Sequence, residues 1–394
     1  MSGYVSELTT CGLKEQTLQS ILDACAAEHV DMHYDELYAL FYFLYNGVNF
    51  NVVSERMEMA CAAAAARAGR QTSRGGWCPR STAMKIPHTA EKLHHLMWRK
   101  CSALINKDRE LLDHEYNTCP HLKESATAVK GVMDTVPIKV FNQVSRGDED
   151  YSGKYCEYVW KLFSVTSLTG FTIYVAPKLY SGRSGDNVLF DHCDVEEALA
   201  AYDNAIIFGD GAFTNSDHVM SPSSKSEVWP RIHGYPSDEE WANYVRRGEE
   251  LLGANALISH YRARAEHMYA RNAFGRFNAF KYWTHNADLC LHSAICALGA
   301  LNFEVESDHG LCGKYEKTKP TASLRKSLQG QRNRYPQPQR PIRGERRPKR
   351  AQRAGSVSSS DSMTQLTLEG VGFSRGRTTR EQDELVVVAQ LSLC

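Results

Sequence analysis

The chain lacks most of the short signatures that announce a chemistry. Twelve cysteines are spread over 394 residues, yet no two form a C-x-x-C pair. Neither Cys119 with His114 and His121 nor Cys290 with Cys296 and His292 has the spacing of a zinc site. An apolar leader and an apolar run near 20 residues are both missing, so no signal peptide and no membrane span are expected. The cysteines then read as those of a reducing, intracellular protein. A Gly-rich phosphate loop, a nucleophile elbow and a tandem repeat are also absent, which removes nucleotide-cradling, serine-hydrolase and solenoid readings.

Net charge is absent too, since 46 Lys and Arg balance 46 Asp and Glu. The balance averages two unlike parts. Residues 314–394 hold 17 basic against 7 acidic side chains, leaving 29 basic against 39 acidic in residues 1–313. An acidic body with a basic tail places any affinity for nucleic acid on the tail and on local patches, and makes it sensitive to salt.

What is present is a set of three acids at element edges. Asp134 lies in GVMDTVPIKV (131–140), Asp210 ends the apolar part of NAIIFGDGAF (204–213), and Glu266 belongs to the helical stretch HYRARAEHMYAR (260–271). Singly, each has an ordinary explanation: a strand-end turn, an Asp-Gly turn, and a solvated helix face beside Arg262, Arg264 and His267. Together, two strand ends and a helix offer hard oxygen ligands of the kind that Mg2+ or Mn2+ prefers. Three carboxylates brought close without a cation would disfavour one another's ionisation, so the cluster implies a metal. Two such ions about 4 Å apart can clamp the attacking and leaving oxygens of a phosphoryl displacement.

The order of elements predicts an α/β domain. A strand at 131–140 is followed by YVWKLFSVTS and GFTIYVAP, both rich in β-branched and aromatic residues and joined through Leu-Thr-Gly. A helix is expected at about 185–201, a short buried strand at AIIFG, and a long helical stretch over about 237–304. Binding sites collect at strand ends in such sheets, where Asp134 and Asp210 fall.

Residues from about 127 to 305 resemble the DDE-type endonuclease domain of PIF/Harbinger-like transposases. GVMDTVPIKV is similar to the strand that carries the family's first aspartate, and DYSGKYCEYVWKLFSVTSLTGFTIYVAP (150–177) to its Tyr-Ser-Gly-Lys segment and following hairpin. SGRSGDNVLF (181–190) resembles its Gly-x-x-His-Asp-Ser-x-Val-Leu helix start, with Gly185 in place of His and Asp186 in register. NAIIFGDGAF resembles the second-aspartate strand, Arg262 through Arg271 the Arg-x-x-x-Glu-Arg-x-Phe-Gly-Arg helix, and LHSAICALGALNFE (291–304) the closing helix. His267 and Ala270 depart from that helix motif, and NAFGRFNAF (272–280) repeats its Phe-Gly-Arg part downstream. That repeat opens a rival register with Arg271 at the glutamate position. The register on Glu266 is preferred, because it alone also matches Arg262 and Arg271.

The resemblance implies an RNase H-like mixed sheet with flanking helices over 127–313. A small helical, helix-turn-helix-like domain over 1–126 would precede it, and a disordered basic tail over 314–394 would follow. Helices are expected at 13–30 and 34–46, with Gly47 at the turn of a helix-turn-helix over 37–59. HTAEKLHHLMWRKCSALI (88–105) is a candidate recognition or packing helix, with Lys92, Arg99 and Lys100 for phosphates, and 60–87 reads as an insertion with a poorly ordered end. The run at 325–353, rich in Pro, Gln and Arg, looks too poor in apolar residues to order itself, and its ERRPKR (345–350) suits nuclear import or a phosphate-binding arm. The expected activity is metal-dependent cleavage of DNA in the nucleus. In it, Asp134, Asp210 and Glu266 act as catalytic metal ligands, and Lys154, Arg262 and Arg271 as DNA contacts. The resemblance also implies a separate Myb-like DNA-binding partner and leaves room for an oligomer. The alternative is a domesticated nuclear protein that binds DNA or protein without cutting, favoured by the His267 and Ala270 departures.

Overall fold

The computed structural model describes residues 11–67, 79–106, 129–141, 144, 147–168, 170–202, 205–211, 213, 216–267, 275–307 and 320–341. The strands join into one mixed sheet. Its spine is β1 (Val129–Lys139), paired antiparallel to β3 (Glu157–Thr166) on one side and parallel to β6 (Ile206–Phe208) on the other. Beyond β6 lies β7 (Val219–Met220), again parallel. The outer edge of β3 takes three short partners in turn: β2 (Tyr151–Ser152), β4 (Thr172–Val175) and β5 (Tyr180–Ser181). A mixed sheet of this order with helices on both faces is compatible with an RNase H-like DDE domain.

Alternation along the strands sorts residues onto two faces. Val132, Val136 and Ile138 of β1 join Trp160, Leu162 and Phe208 in one core, while Met133, Phe163, Val165 and Ile207 form the other. The second face is covered by two short helices, α6 (Asp186–Asp191) and α7 (Val195–Ala200). One continuous helix over 185–201 was the expectation. It breaks because Phe190 and Val195, five residues apart, would point about 140° from each other on a straight helix, yet both are buried against the same core.

The first face carries the larger helical layer. It contains α1 (Glu15–Ala27), α2 (Tyr34–Asn46), α5 (Ile86–Lys100), α9 (Asp238–His267) and α10 (Ala287–Ser307), with α3 (Phe50–Arg67), α4 (Pro79–Met84) and α8 (Lys225–Val228) beside them. Gly47 ends α2 with φ 64°, the left-handed conformation that glycine adopts without strain, and turns the chain into α3. These helices and the sheet share one continuous core, in which Asn302 of α10 bonds Thr172 of β4 in both directions and the Lys100 carbonyl at the end of α5. The boundary expected at 126/127 lies outside the described residues.

Two expectations change. The helix at 88–105 is a packing helix rather than a free recognition helix. Ile86, Ala90, Leu93 and Met97 of α5 are buried, largely against α10, and its cations are engaged within the molecule: Lys92 with Asp31 and Glu36, Arg99 with Glu28, and Lys100 with Glu306. The expected tail without structure gives way over Pro320–Arg334, which forms helix α11 against α9. Leu324 and Leu328, one turn apart, are buried there; Arg332 bonds Glu249, Trp229 donates to the Tyr335 carbonyl, and Arg340 bonds Asp238. Two leucines are enough because they dock on a helix that already exists, whereas average composition describes a segment left alone. Residues 342–394 lie outside the described residues.

α10 is long and apolar enough to cross a membrane by length and composition, a run that the sequence reading passed over. Its apolar surface is largely buried between α5, α1 and the sheet, as in a core helix.

Candidate functional site

The parallel pairing of β1 with β6 puts Val132 opposite Phe208. Two residues farther along each chain stand Asp134, still within β1, and Asp210, two residues past the end of β6. Asp134 lies on the face of the larger helical layer, between Val132 and Val136, and is half-buried, as is Asp210. The hydrogen-bonded part of β6 ends at Phe208, and Asp210 starts a turn in which its carbonyl accepts the Phe213 amide. β1 continues to Lys139, so beyond this level it runs on without β6 beside it. The carboxylates thus sit where a strand end leaves an open edge, the position that binding sites favour in such sheets.

α9 crosses the same face. Tyr261 stacks on Phe208, ring centroids 6.0 Å apart, two residues before Asp210. Glu266 follows five residues later on the same helix, about 7.5 Å farther along its axis. The side chain of Glu266 and all of Arg271 lie outside the described residues. Arg262, one turn before Glu266, is partly buried on α9.

Lys154 stands exposed on the turn between β2 and β3, its ammonium 5.4 Å from the Tyr155 ring centre. Tyr155 above all, with lesser contributions from Asp186 and finally Asp210, holds its pKa above the ordinary lysine value, while desolvation opposes them. The structure therefore brings Lys154 into the electrostatic neighbourhood of Asp210.

Three residues that sequence reasoning did not assign to the site adjoin it. Lys161 is the lone cation in the apolar run EYVWKLFSVT of β3 and is only 9% exposed. Its Nζ donates to the Ser184 carbonyl at 2.6 Å and to Asp186 Oδ1 at 3.2 Å. The same oxygen of Asp186 accepts the Thr135 hydroxyl at 3.0 Å, and the Thr135 amide donates to Asp134 Oδ1 at 2.8 Å. Four residues before Asp186, Gly182 leaves no room for a Cβ, which would run into the carbonyls of Asp150 and Val159. A charged residue inside an otherwise apolar strand was the signal available for Lys161; Asp186, as the first residue of a short helix, reads as a cap.

Asp134 and Asp210 carry hard oxygen donors of the kind a divalent cation prefers. Among the described residues no group of three or more His, Cys, Asp or Glu side chains is close enough to hold a metal ion, and the third acid of the expected set lies outside that description. Cys290 and Cys296 are buried thiols whose pKa values burial raises, so they are held protonated rather than as metal-binding thiolates.

The chain has no match among curated proteins or among solved structures. The stretch from β1 into α10, residues 133–298, matches the family model of the DDE superfamily endonucleases, and Asp134, Lys154, Asp210, Arg262, Glu266 and Arg271 all fall inside it.

Proposed function

We propose that the protein is a transposase-derived, metal-dependent DNA endonuclease of the PIF/Harbinger kind. The observation that carries this reading is the parallel pairing of Val132 with Phe208, which precede Asp134 and Asp210 by two residues each, within the stretch similar to DDE superfamily endonucleases. Asp134 and Asp210 would hold a divalent cation, Mg2+ or Mn2+, with Glu266 of α9 as the further carboxylate. Such an ion, when bound, supplies Lewis-acid stabilisation at a phosphodiester and acidifies a coordinated water. Lys154, exposed on the turn between β2 and β3, is suited to a DNA phosphate, and Arg262 and Arg271 are assigned the same role on the helix motif. DNA is the proposed partner, together with a Myb-like DNA-binding protein; the nucleus is the proposed location, on the ERRPKR run at 345–350. Self-association is compatible with this reading.

The test is nicking of supercoiled plasmid by purified protein with Mg2+ or Mn2+. Nicking that requires the metal and falls by about 100-fold or more in Asp210→Asn is the expected result. The departures at His267 and Ala270 favour a second reading, in which the fold is kept as a DNA- or protein-binding module. DNA bound but left uncut by wild type and variant alike, with the partner present, would select that reading.

A further inference from the structure

The chain Lys161, Asp186, Thr135, Asp134 links β3, the start of α6 and β1 through hydrogen bonds of 3.2, 3.0 and 2.8 Å. A lysine this deeply buried is unfavourable unless paired, and its partner Asp186 is itself only 17% exposed at the side chain. Both cationic and hydroxyl donors converge on one oxygen, Asp186 Oδ1, which fixes the rotation of that carboxylate. The Thr135 side chain is β-branched and stiff at χ1, so anchoring its hydroxyl also steadies the peptide on either side. That peptide's N–H is the donor that holds Asp134 Oδ1.

We propose that Asp186, with Lys161 as its counter-charge, is a positioning residue that acts through Thr135 to hold the Asp134 carboxylate in its metal-binding orientation. The inference rests on the metal-dependent reading of Asp134 and assigns no contact with DNA or metal to Asp186, Lys161 or Thr135. A purely structural ion pair would tie α6 to the sheet and do nothing more. The two roles separate at Thr135, because Thr135→Val removes the link and leaves the Lys161–Asp186 pair and the backbone amide in place.

The experiment measures Mn2+ binding directly, by the paramagnetic signal of free Mn2+, on wild type, Thr135→Val, Thr135→Ser, Asp186→Ala and Asp134→Asn, beside each variant's unfolding midpoint. Partners one bond removed from a metal ligand commonly change affinity by about 10- to 100-fold. Thr135→Val should therefore raise the Mn2+ dissociation constant by about 10-fold with little change of midpoint, and Thr135→Ser should restore it. Asp186→Ala should weaken binding at least as much and also lower the midpoint, since it leaves Lys161 buried without its carboxylate. Wild-type affinity in Thr135→Val, with binding lost in Asp134→Asn, would overturn the positioning role alone. Failure of Thr135→Ser to restore affinity would overturn it too, by assigning the effect to shape rather than to the hydroxyl. If wild type and Asp134→Asn bind Mn2+ equally, the metal reading falls and the positioning role with it.

Discussion

His94 lies between α5 and α10 with its ring 4.6 Å from that of His292 and 5.2 Å from that of His95. Its Nε2 is buried and accepts no hydrogen bond among the described residues. Burial first, then the two neighbouring histidines, lower its pKa from 6.5 to about 4. The folded protein therefore keeps His94 neutral, while the unfolded chain protonates it near its ordinary value. The stability this provides is complete above about pH 6.5 and is lost as pH falls from there toward 4. His94→Leu should flatten the decline in unfolding free energy between pH 7 and pH 5, measured by urea titration at each pH; a slope equal to wild type would show that His94 does not set it. Residue-scale legibility was uneven in the sequence. Asp210 stood out as an acid after the short apolar run of β6, whereas Asp134, expected at a strand end, lies inside β1, which runs on to Lys139. Asp186 and Lys161 did not stand out, because their meaning lies in a pairing across 25 positions that neither segment reveals alone.

Helices that lie on other helices are where composition misled. α11 looked like part of a disordered arm because Arg, Gln and Pro dominate its surroundings, but the contacts that matter are Leu324, Leu328 and the Gln331 amide on Ser259. Leu328→Ala should cost about 2 kcal/mol, at the low end for a buried leucine because the site is peripheral and free to collapse. Chemical denaturation would measure it. Arg332→Ala should change stability by less than about 1 kcal/mol, since its bond to Glu249 is solvent-exposed. Loss of the same magnitude from both variants would mean that charge, not the leucine pair, seats the helix. β1, β3, β4 and β6, by contrast, were placed to within a few residues, since β-branched and aromatic runs such as EYVWKLFSVT can satisfy their backbones in few other ways, while the two-residue β2, β5 and β7 were not expected. For α5 both a recognition and a packing role were open, because amphipathic spacing and basic residues are shared by docking and packing helices; its buried face lies largely against α10 and its cations pair with neighbours such as Glu28 and Glu306.

Across the molecule, charge is segregated. Residues 342–394 hold nine Lys and Arg, and the last described residues before them include Arg340, which is tied to Asp238 and the Pro236 carbonyl. Each phosphate neutralised by a basic side chain contributes about −0.9 to the slope of log affinity against log salt. Deleting 342–394 should therefore make DNA binding by the protein less steep in salt by several such increments and weaken it at low salt, read by fluorescence anisotropy. An unchanged slope would place the phosphate contacts on the body. Fold class was legible from the order of strands and helices, whereas the way the N-terminal helices merge into the same core as the sheet was not, because contacts such as Asn302 to Lys100 join residues about 200 positions apart.

The unit that heredity marks out and the unit that folds are different here. The matched stretch ends at residue 298, which is the middle of α10, between Ala287 and Ser307. A gene fragment cut at those borders would leave half of an apolar helix without α5 over it, and α9 without α11. A chain with those borders would keep Asp134 and Asp210 but could not bury its own centre. A version of this protein that folds therefore keeps the helices before β1 and α11 after α10 together with the matched stretch.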